Sequence, residues 1–224
     1  VGRQHCHLCG ARVQGLSSAE LLERIARRHA GRRVSVLAPV VRRRKGWHKD
    51  VIARATRLKL PLVRVDGRLR VPSTDITLGR YQEHDIEFVI LADHAVHPGG
   101  STSLNDAVER ALSEGHGTCY VVEAGGAEHT YSLELYCDGC AVGFEPPDPR
   151  LLSFHGHRSG ACRGCDGAGA LELDDGEERE CPTCEGARLG PVGRAVLIEG
   201  VGIHEVCDRT PSKLLSWERG LRLT

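Results

Sequence analysis

Eight of the ten cysteines in this 224-residue chain fall into four Cys-x-x-Cys pairs: Cys6/Cys9, Cys137/Cys140, Cys162/Cys165 and Cys181/Cys184. A turn of that spacing points two thiolates at one ion, and two such turns complete the tetrahedral sulfur shell of a structural zinc site. Eight ligands specify two zinc ions. Competing chemistries fit less well. A secreted disulfide scaffold is usually short and carries a signal peptide, whereas this chain opens VGRQHCHLCG with no apolar stretch. Redox Cys-x-x-Cys usually comes singly, beside a βαβ pattern. The two single cysteines, Cys119 and Cys207, are expected to be inert core residues.

Spacing also bears on which pairs share an ion. Cys162/Cys165 and Cys181/Cys184 are joined by a short, Gly-rich, acidic, hairpin-like link, which a zinc ribbon closes without outside help. Cys6/Cys9 and Cys137/Cys140 would then meet across a long insertion whose ends lie close together. The alternative joins Cys137/Cys140 to Cys162/Cys165 and leaves the first and last pairs to find each other. His5, His7, His155 and His157 lie close enough in sequence to replace a thiolate, but eight cysteines leave them no vacancy. Neither shell has an open position for water, so neither metal is expected to be catalytic.

Length and composition allow one mid-sized domain plus a smaller, metal-held one. No apolar run approaches the roughly 18 residues of a membrane span, and neither end carries a lipidation signal. The expected setting is reducing and cytoplasmic. Formal charge is zero, but Arg24 to Arg70 is basic and Glu123 to Glu185 leans acidic. The basic block is either a face for an anionic partner, nucleic acid or acidic protein, or the solvated side of helices. The absence of methionine, even at position 1, suggests an excised part of a longer protein.

The elements that must position the cysteines follow from periodicity. Ser17 caps a helix running to about His29, and Val34 to Val41 is a buried strand. Arg42 to His48 reads as a basic loop and Lys49 to Leu58 as a second helix. Leu60 to Val65 turns at Asp66-Gly67 into Arg68 to Val71. A strand at Ile86 to Leu91, a helix at Leu104 to Leu112 and strands near Thr118 to Val122 and Tyr131 to Leu135 complete the insertion. Ala195 to Ile198 and Ile203 to Val206 fit short strands or a helical turn equally. The fold class is α+β or α/β, a small mixed domain flanked by four-cysteine zinc modules. Residues 17–135 form that domain, 1–16 and 136–150 are the halves of the first module, and 151–224 hold the second module and the start of a following region. No Gly-x-x-x-x-Gly-Lys-Ser/Thr loop, His-Glu-x-x-His helix or Gly-x-Ser-x-Gly elbow occurs, so the chain is not expected to be an enzyme.

Several ordered motifs carry a family resemblance. Val36-Leu37-Ala38-Pro39-Val40-Val41, Arg44-Lys45-Gly46-x-His48, Arg64-Val65-Asp66-Gly67 and His84-Asp85-Ile86-Glu87 resemble the partner-binding insertion of the UvrA family, damage-sensing ATPases of bacterial nucleotide excision repair. Cys137-Asp-Gly-Cys140, Pro149-Arg150-Leu151, Gly160-Ala161-Cys162-x-x-Cys165-x-Gly167-x-Gly169 and Cys181-x-x-Cys184-x-Gly186-x-Arg188-Leu189 are similar to that family's zinc-bearing region, in the same order.

The resemblance implies a non-catalytic module that docks UvrB and positions zinc modules near DNA. The parent would be a homodimeric, SOS-linked ATPase, with its P-loop upstream of Val1 and its signature downstream of Thr224. Arg42, Arg43, Arg44, Lys45, His48, Arg64, Asp66 and Arg68 would form the docking face. Leu62 and Ala92 stand at or near positions where members commonly carry arginine, and the link between the last two cysteine pairs is shorter than usual. Those departures suit a UvrA-like paralogue, for example one conferring resistance to a DNA-binding drug. A second class of reading comes from Cys162-x-x-Cys165-x-Gly167-x-Gly169, which also resembles the zinc repeats of DnaJ-type chaperones that bind unfolded chains.

Overall fold

The computed structural model describes residues 2–155, 160–173 and 176–221. They gather into two compact units. One comprises residues 14–136 and 141–145, and the other takes the described residues of 1–13, 137–140 and 146–224. The chain starts in the second unit with β1 (Arg3–Gln4) and then builds the first.

The first unit begins with α1 (Ser18–Arg28). Ser17 Oγ accepts the Glu20 N–H at 3.3 Å, and the Glu20 carboxylate accepts the Ser17 N–H at 2.9 Å, so two orphan donors of the first turn are satisfied reciprocally. Replacing this cap as Ser17→Ala is expected to lower the unit's stability by about 1 kcal/mol, read as a lower urea midpoint at unchanged slope.

After α1 come β2 (Arg33–Lys45), α2 (Lys49–Arg57), β3 (Leu62–Val65), β4 (Arg68–Arg70), β5 (Glu83–Ala95), α3 (Thr102–Glu114), β6 (Thr118–Glu123) and β7 (Glu128–Ser132). The strands form one sheet in the order β4-β3-β5-β2-β6-β7, with every pairing antiparallel. That topology makes the unit α+β, because α/β architecture would need parallel strands joined by helical crossovers.

Strand periodicity sorts side chains to the two faces. Val63, Val65, Ile86, Phe88, Val36, Ala38, Cys119 and Val121 face the main core, where Leu21 and Ile25 of α1, Ile52 and Ala55 of α2, and Leu104 and Val108 of α3 meet them. Their sequence neighbours Leu37, Val89 and Tyr120 form a separate small cluster with half-buried Leu62 and Val122. All three helices of this unit thus pack on one sheet face. None of this unit's helices packs on the opposite face.

Two expectations need correction. The basic segment Arg42 to Lys45 is the end of β2, not a loop. The ladder to β5 passes over register shifts, with Arg43 in left-handed backbone (φ 49°), and resumes at Arg44 opposite His84 and Lys45 opposite Glu83. The strand expected at Tyr131 to Leu135 is displaced to β7, because Ser132 Oγ accepts the Glu134 and Leu135 N–H groups and turns the chain out of the ladder.

In the second unit, β1 pairs with β12 (Val196–Ile198), which pairs with β13 (Val201–Gly202). The ambiguous Ile203 segment is helical: α5 (Ile203–Cys207) starts where Glu205 accepts the Gly202 N–H. The expected hairpin between the last two cysteine pairs is β10 (Ala170–Glu172) against β11 (Glu178–Glu180). A 3-10 turn at Pro149–Leu152, α4 (Pro191–Arg194) and α6 (Pro211–Gly220) complete it. Strands β8 (Tyr136–Cys137) and β9 (Val142–Gly143) bracket the second cysteine turn. No helix among the described residues is long and apolar enough to cross a membrane.

Candidate metal centres and docking face

The sulfurs of Cys6, Cys9, Cys137 and Cys140 lie within 4.8 Å of one another, as do those of Cys162, Cys165, Cys181 and Cys184. The structure therefore joins first pair to second and third to fourth, and does not bring Cys137/Cys140 to Cys162/Cys165. Cys9 and Cys137 sulfurs stand 3.6 Å apart, and Cys165 and Cys184 sulfurs 3.7 Å. A tetrahedron with metal–sulfur bonds of about 2.3 Å has edges of about 3.8 Å, whereas a disulfide is about 2.05 Å long. The spacing is that of ligands around an ion.

Tight turns make the convergence. Gly10, at φ 73°, donates its N–H to Cys6 O at 2.8 Å, and Cys6 donates to Ala11 O at 2.8 Å. In the other cluster the Gly164 and Gly169 N–H groups point at the sulfurs of Cys162 and Cys165, at 3.4 and 3.2 Å. Gly167, at φ 82°, has no alternative: a Cβ there would sit 2.1 Å from Phe154 O.

The electrostatics suit thiolates. Burial pushes the Cys6 thiol up, but the backbone N–H groups of Leu8 and Cys9 bring it down to about 7. The same balance, through Thr183 and Cys184, brings Cys181 to about 6. Cys140 is pushed up to about 12 by the neighbouring Cys9 thiol, and Cys184 to about 12 by burial. Four sulfurs that near cannot all ionise alone, and a cation among them would take the place of the protons. Each cluster could hold one metal ion, and an all-sulfur shell is consistent with zinc.

His5, His7 and His155 belong to neither four-sulfur group, and His157 lies outside the described residues. Cys119 is a buried core thiol, pushed up to about 12 by burial. Cys207 departs from expectation: it ends α5 and is exposed.

The basic residues divide in a way that spacing did not reveal. Arg44, Lys45 and Arg68 are exposed. Arg64 is only 17% exposed and is committed inside the unit, to Glu87 at 3.1 Å and Glu128 at 2.5 Å. Arg42 donates to Gly115 O at 3.1 Å, and Arg42 and Arg43 both approach Glu145, at 3.9 and 3.8 Å. Tyr120 donates its hydroxyl hydrogen to the same glutamate. Asp66 accepts from His84 at 2.8 Å and from the Asp85 N–H at 3.0 Å. His48 Nε2 lies 2.9 Å from Arg44 O. Arg64, Glu87, Glu128, Tyr120 and Leu62 belong to the helix-free sheet face, where Leu37, Val89 and Tyr120 are buried and Leu62 and Val122 are half-buried beside the ion pairs.

Residues 17–125 match the UvrA interaction domain. The chain is 37% identical over 181 residues to the UvrABC system protein A of Methanothermobacter thermautotrophicus, covering 78% of this chain and 18% of that protein. The Bacillus subtilis protein of that name is 33% identical over 175 residues, 78% of this chain and 18% of the relative. For the Thermus thermophilus protein the figures are 32% over 196 residues, 84% and 20%. The chain spans about a fifth of the length of these relatives. With its first unit matched by the interaction domain and most of its length by these relatives, the chain belongs to the UvrA family.

Proposed function

We propose that this chain is the partner-docking part of a UvrA-like excision-repair protein. Its first unit engages UvrB, and zinc in each cysteine cluster staples the second unit, through which a homodimeric cytoplasmic parent approaches DNA. The observation that carries the reading is the helix-free sheet face: a half-buried apolar patch around Leu62 and Val122, bordered by paired charges. Half-buried Leu62 and Val122, packed on buried Leu37, Val89 and Tyr120, supply a small apolar contact within a polar rim. The exposed Arg44, Lys45 and Arg68 supply charge that steers an acidic partner. The chain itself is a binding module, and ATP hydrolysis belongs to the parent.

The test restores the arginines that stand at or near Leu62 and Ala92 in common members. Ala92 is exposed, and Leu62 is half-buried against Leu37, Val89 and Tyr120, where an arginine lays its stem on the cluster and carries its guanidinium to solvent. The chain carrying Leu62→Arg and Ala92→Arg is expected to bind a UvrB domain roughly tenfold or more tightly than the parent chain, mostly through slower dissociation. Binding should weaken with salt, since exposed charges are screened over about 10 Å at 0.1 M. If neither chain binds UvrB in calorimetry at low salt, the docking assignment is wrong.

A further inference from the structure

The first unit carries a third group of metal-ligating side chains, unused by the docking reading. His29 caps the C-terminal end of α1, Glu123 ends β6, and His129 lies in β7 opposite Val121. His29 Nδ1 stands 2.9 Å from Glu123 Oε1, and His129 Nε2 stands 3.4 Å from the same oxygen. All three ligand atoms lie within 4.8 Å of one another. Donors bonded to one ion at about 2.1 Å in a tetrahedral arrangement stand about 3.4 Å apart, so little adjustment is needed.

The surroundings resemble a built site. His29 is fully buried, while Glu123 and His129 keep 13% and 23% exposure, so the group is walled on the core side and open toward solvent. His29 Nε2 lies 2.9 Å from the Tyr131 hydroxyl. When Nε2–H donates to that oxygen, Nδ1 presents its lone pair to the cluster, which is how an outer partner orients a ligating imidazole. Binding then needs a tautomer shift on His29 and no loss of a proton.

We propose that His29, Glu123 and His129 form a third cation site, taking a zinc-class divalent ion through two imidazole nitrogens and one carboxylate oxygen, with water in the remaining position. Two nitrogens and one oxygen favour zinc, cobalt or nickel over magnesium and calcium, which prefer oxygen. Arg32 is the competitor: its guanidinium holds both Glu123 oxygens, at 2.6 and 2.7 Å. Being 56% exposed, it can release Oε1 to the ion and keep Oε2. Arg28 is the other nearby cation and acts on both histidines. These two charges make the third site weaker than the thiolate clusters.

The full chain, with both cysteine clusters zinc-loaded, is titrated with Zn²⁺ and with Co²⁺. A third equivalent is expected, with cobalt absorption that lacks thiolate charge-transfer bands. His129 lies on an edge strand and is partly exposed, so His129→Ala should remain folded by circular dichroism, keep two ions and lose the third. Arg32→Gln removes the competing charge and should tighten the third site, on the order of tenfold. Saturation at two equivalents in both the parent chain and Arg32→Gln would overturn the proposal. So would a third equivalent that survives His129→Ala, since the ion would then sit elsewhere.

Discussion

Removing metal from this chain is expected to unfold the segment around Cys162 to Leu189 while leaving the first unit folded. The buried cluster there consists of Cys162, Cys181 and Cys184, with half-buried Cys165, Leu171 and Ala187 against it, and among the described residues Leu189 is the one large apolar side chain fully buried in the segment. So few apolar atoms, joined to a hairpin of three-residue strands, cannot offset the chain entropy of ordering the segment. The metal must supply the difference, and structural zinc supplies about 10–16 kcal/mol in small modules. Native mass spectrometry should find two zinc ions per chain at limiting metal, and a strong chelator should remove them. Amide exchange should then rise across 160–190, while Leu21, Ile25, Val36, Phe88 and Val108, in the main apolar core of the first unit, stay protected. Cys162→Ala should reproduce the effect on that segment alone. Protected amides in a metal-free chain would show that the cysteines pack without an ion.

The cysteine turns were legible because each Cys-x-x-Cys pair and its glycines encode their geometry within a few residues, and the short link favoured joining the last two pairs. The meeting of Cys6/Cys9 with Cys137/Cys140, across 128 residues, followed from the sequence only as the remaining pairing. The helices were legible for the same reason as the turns, Ser17 and Glu20 stating the start of α1 outright. What sequence could not state was the destination of the arginines. The carboxylates that hold Arg64 are 23 and 64 residues away, and the one near Arg42 and Arg43 arrives from position 145. Only the sheet order places them together. His29 and Glu123 are likewise 94 residues apart and meet through α1 and the β6–β7 hairpin. Charge spacing along the chain marks a basic block, and antiparallel pairing decides which of its members reach solvent. The extension of β2 through Arg42 to Lys45 was hidden likewise, since its charged residues suppress the apolar signal while the ladder to β5 continues.

Arg64 is where the two views diverge most, and Arg64→Ala should destabilise the first unit by about 3–5 kcal/mol whether or not a partner is present. Glu87 beside it has a side chain only 9% exposed, and truncating the guanidinium leaves that carboxylate without its counter-ion. Burial already pushes Glu87 up from 4.5 to about 6 against the pull of Arg64, so without the arginine it rises further. A carboxyl raised on folding binds more protons in the native than in the unfolded state, so stability falls as pH rises from the unfolded value toward the folded one. For the parent chain that window is 4.5 to about 6. In the variant it extends upward, so the defect should be largest near neutral pH and shrink on acidification. Adding Glu87→Gln should recover much of the loss, because the buried charge is gone. Urea unfolding of the parent, single and double variants across this range gives the coupling directly. If Arg64 served only as an exposed contact for UvrB, Arg64→Ala would change stability by no more than about 0.5 kcal/mol at any pH and would weaken binding alone. A pH-dependent loss that Glu87→Gln repairs makes Arg64 an internal brace of the sheet rather than a contact residue, and the proposed docking then rests on the exposed Arg44, Lys45 and Arg68.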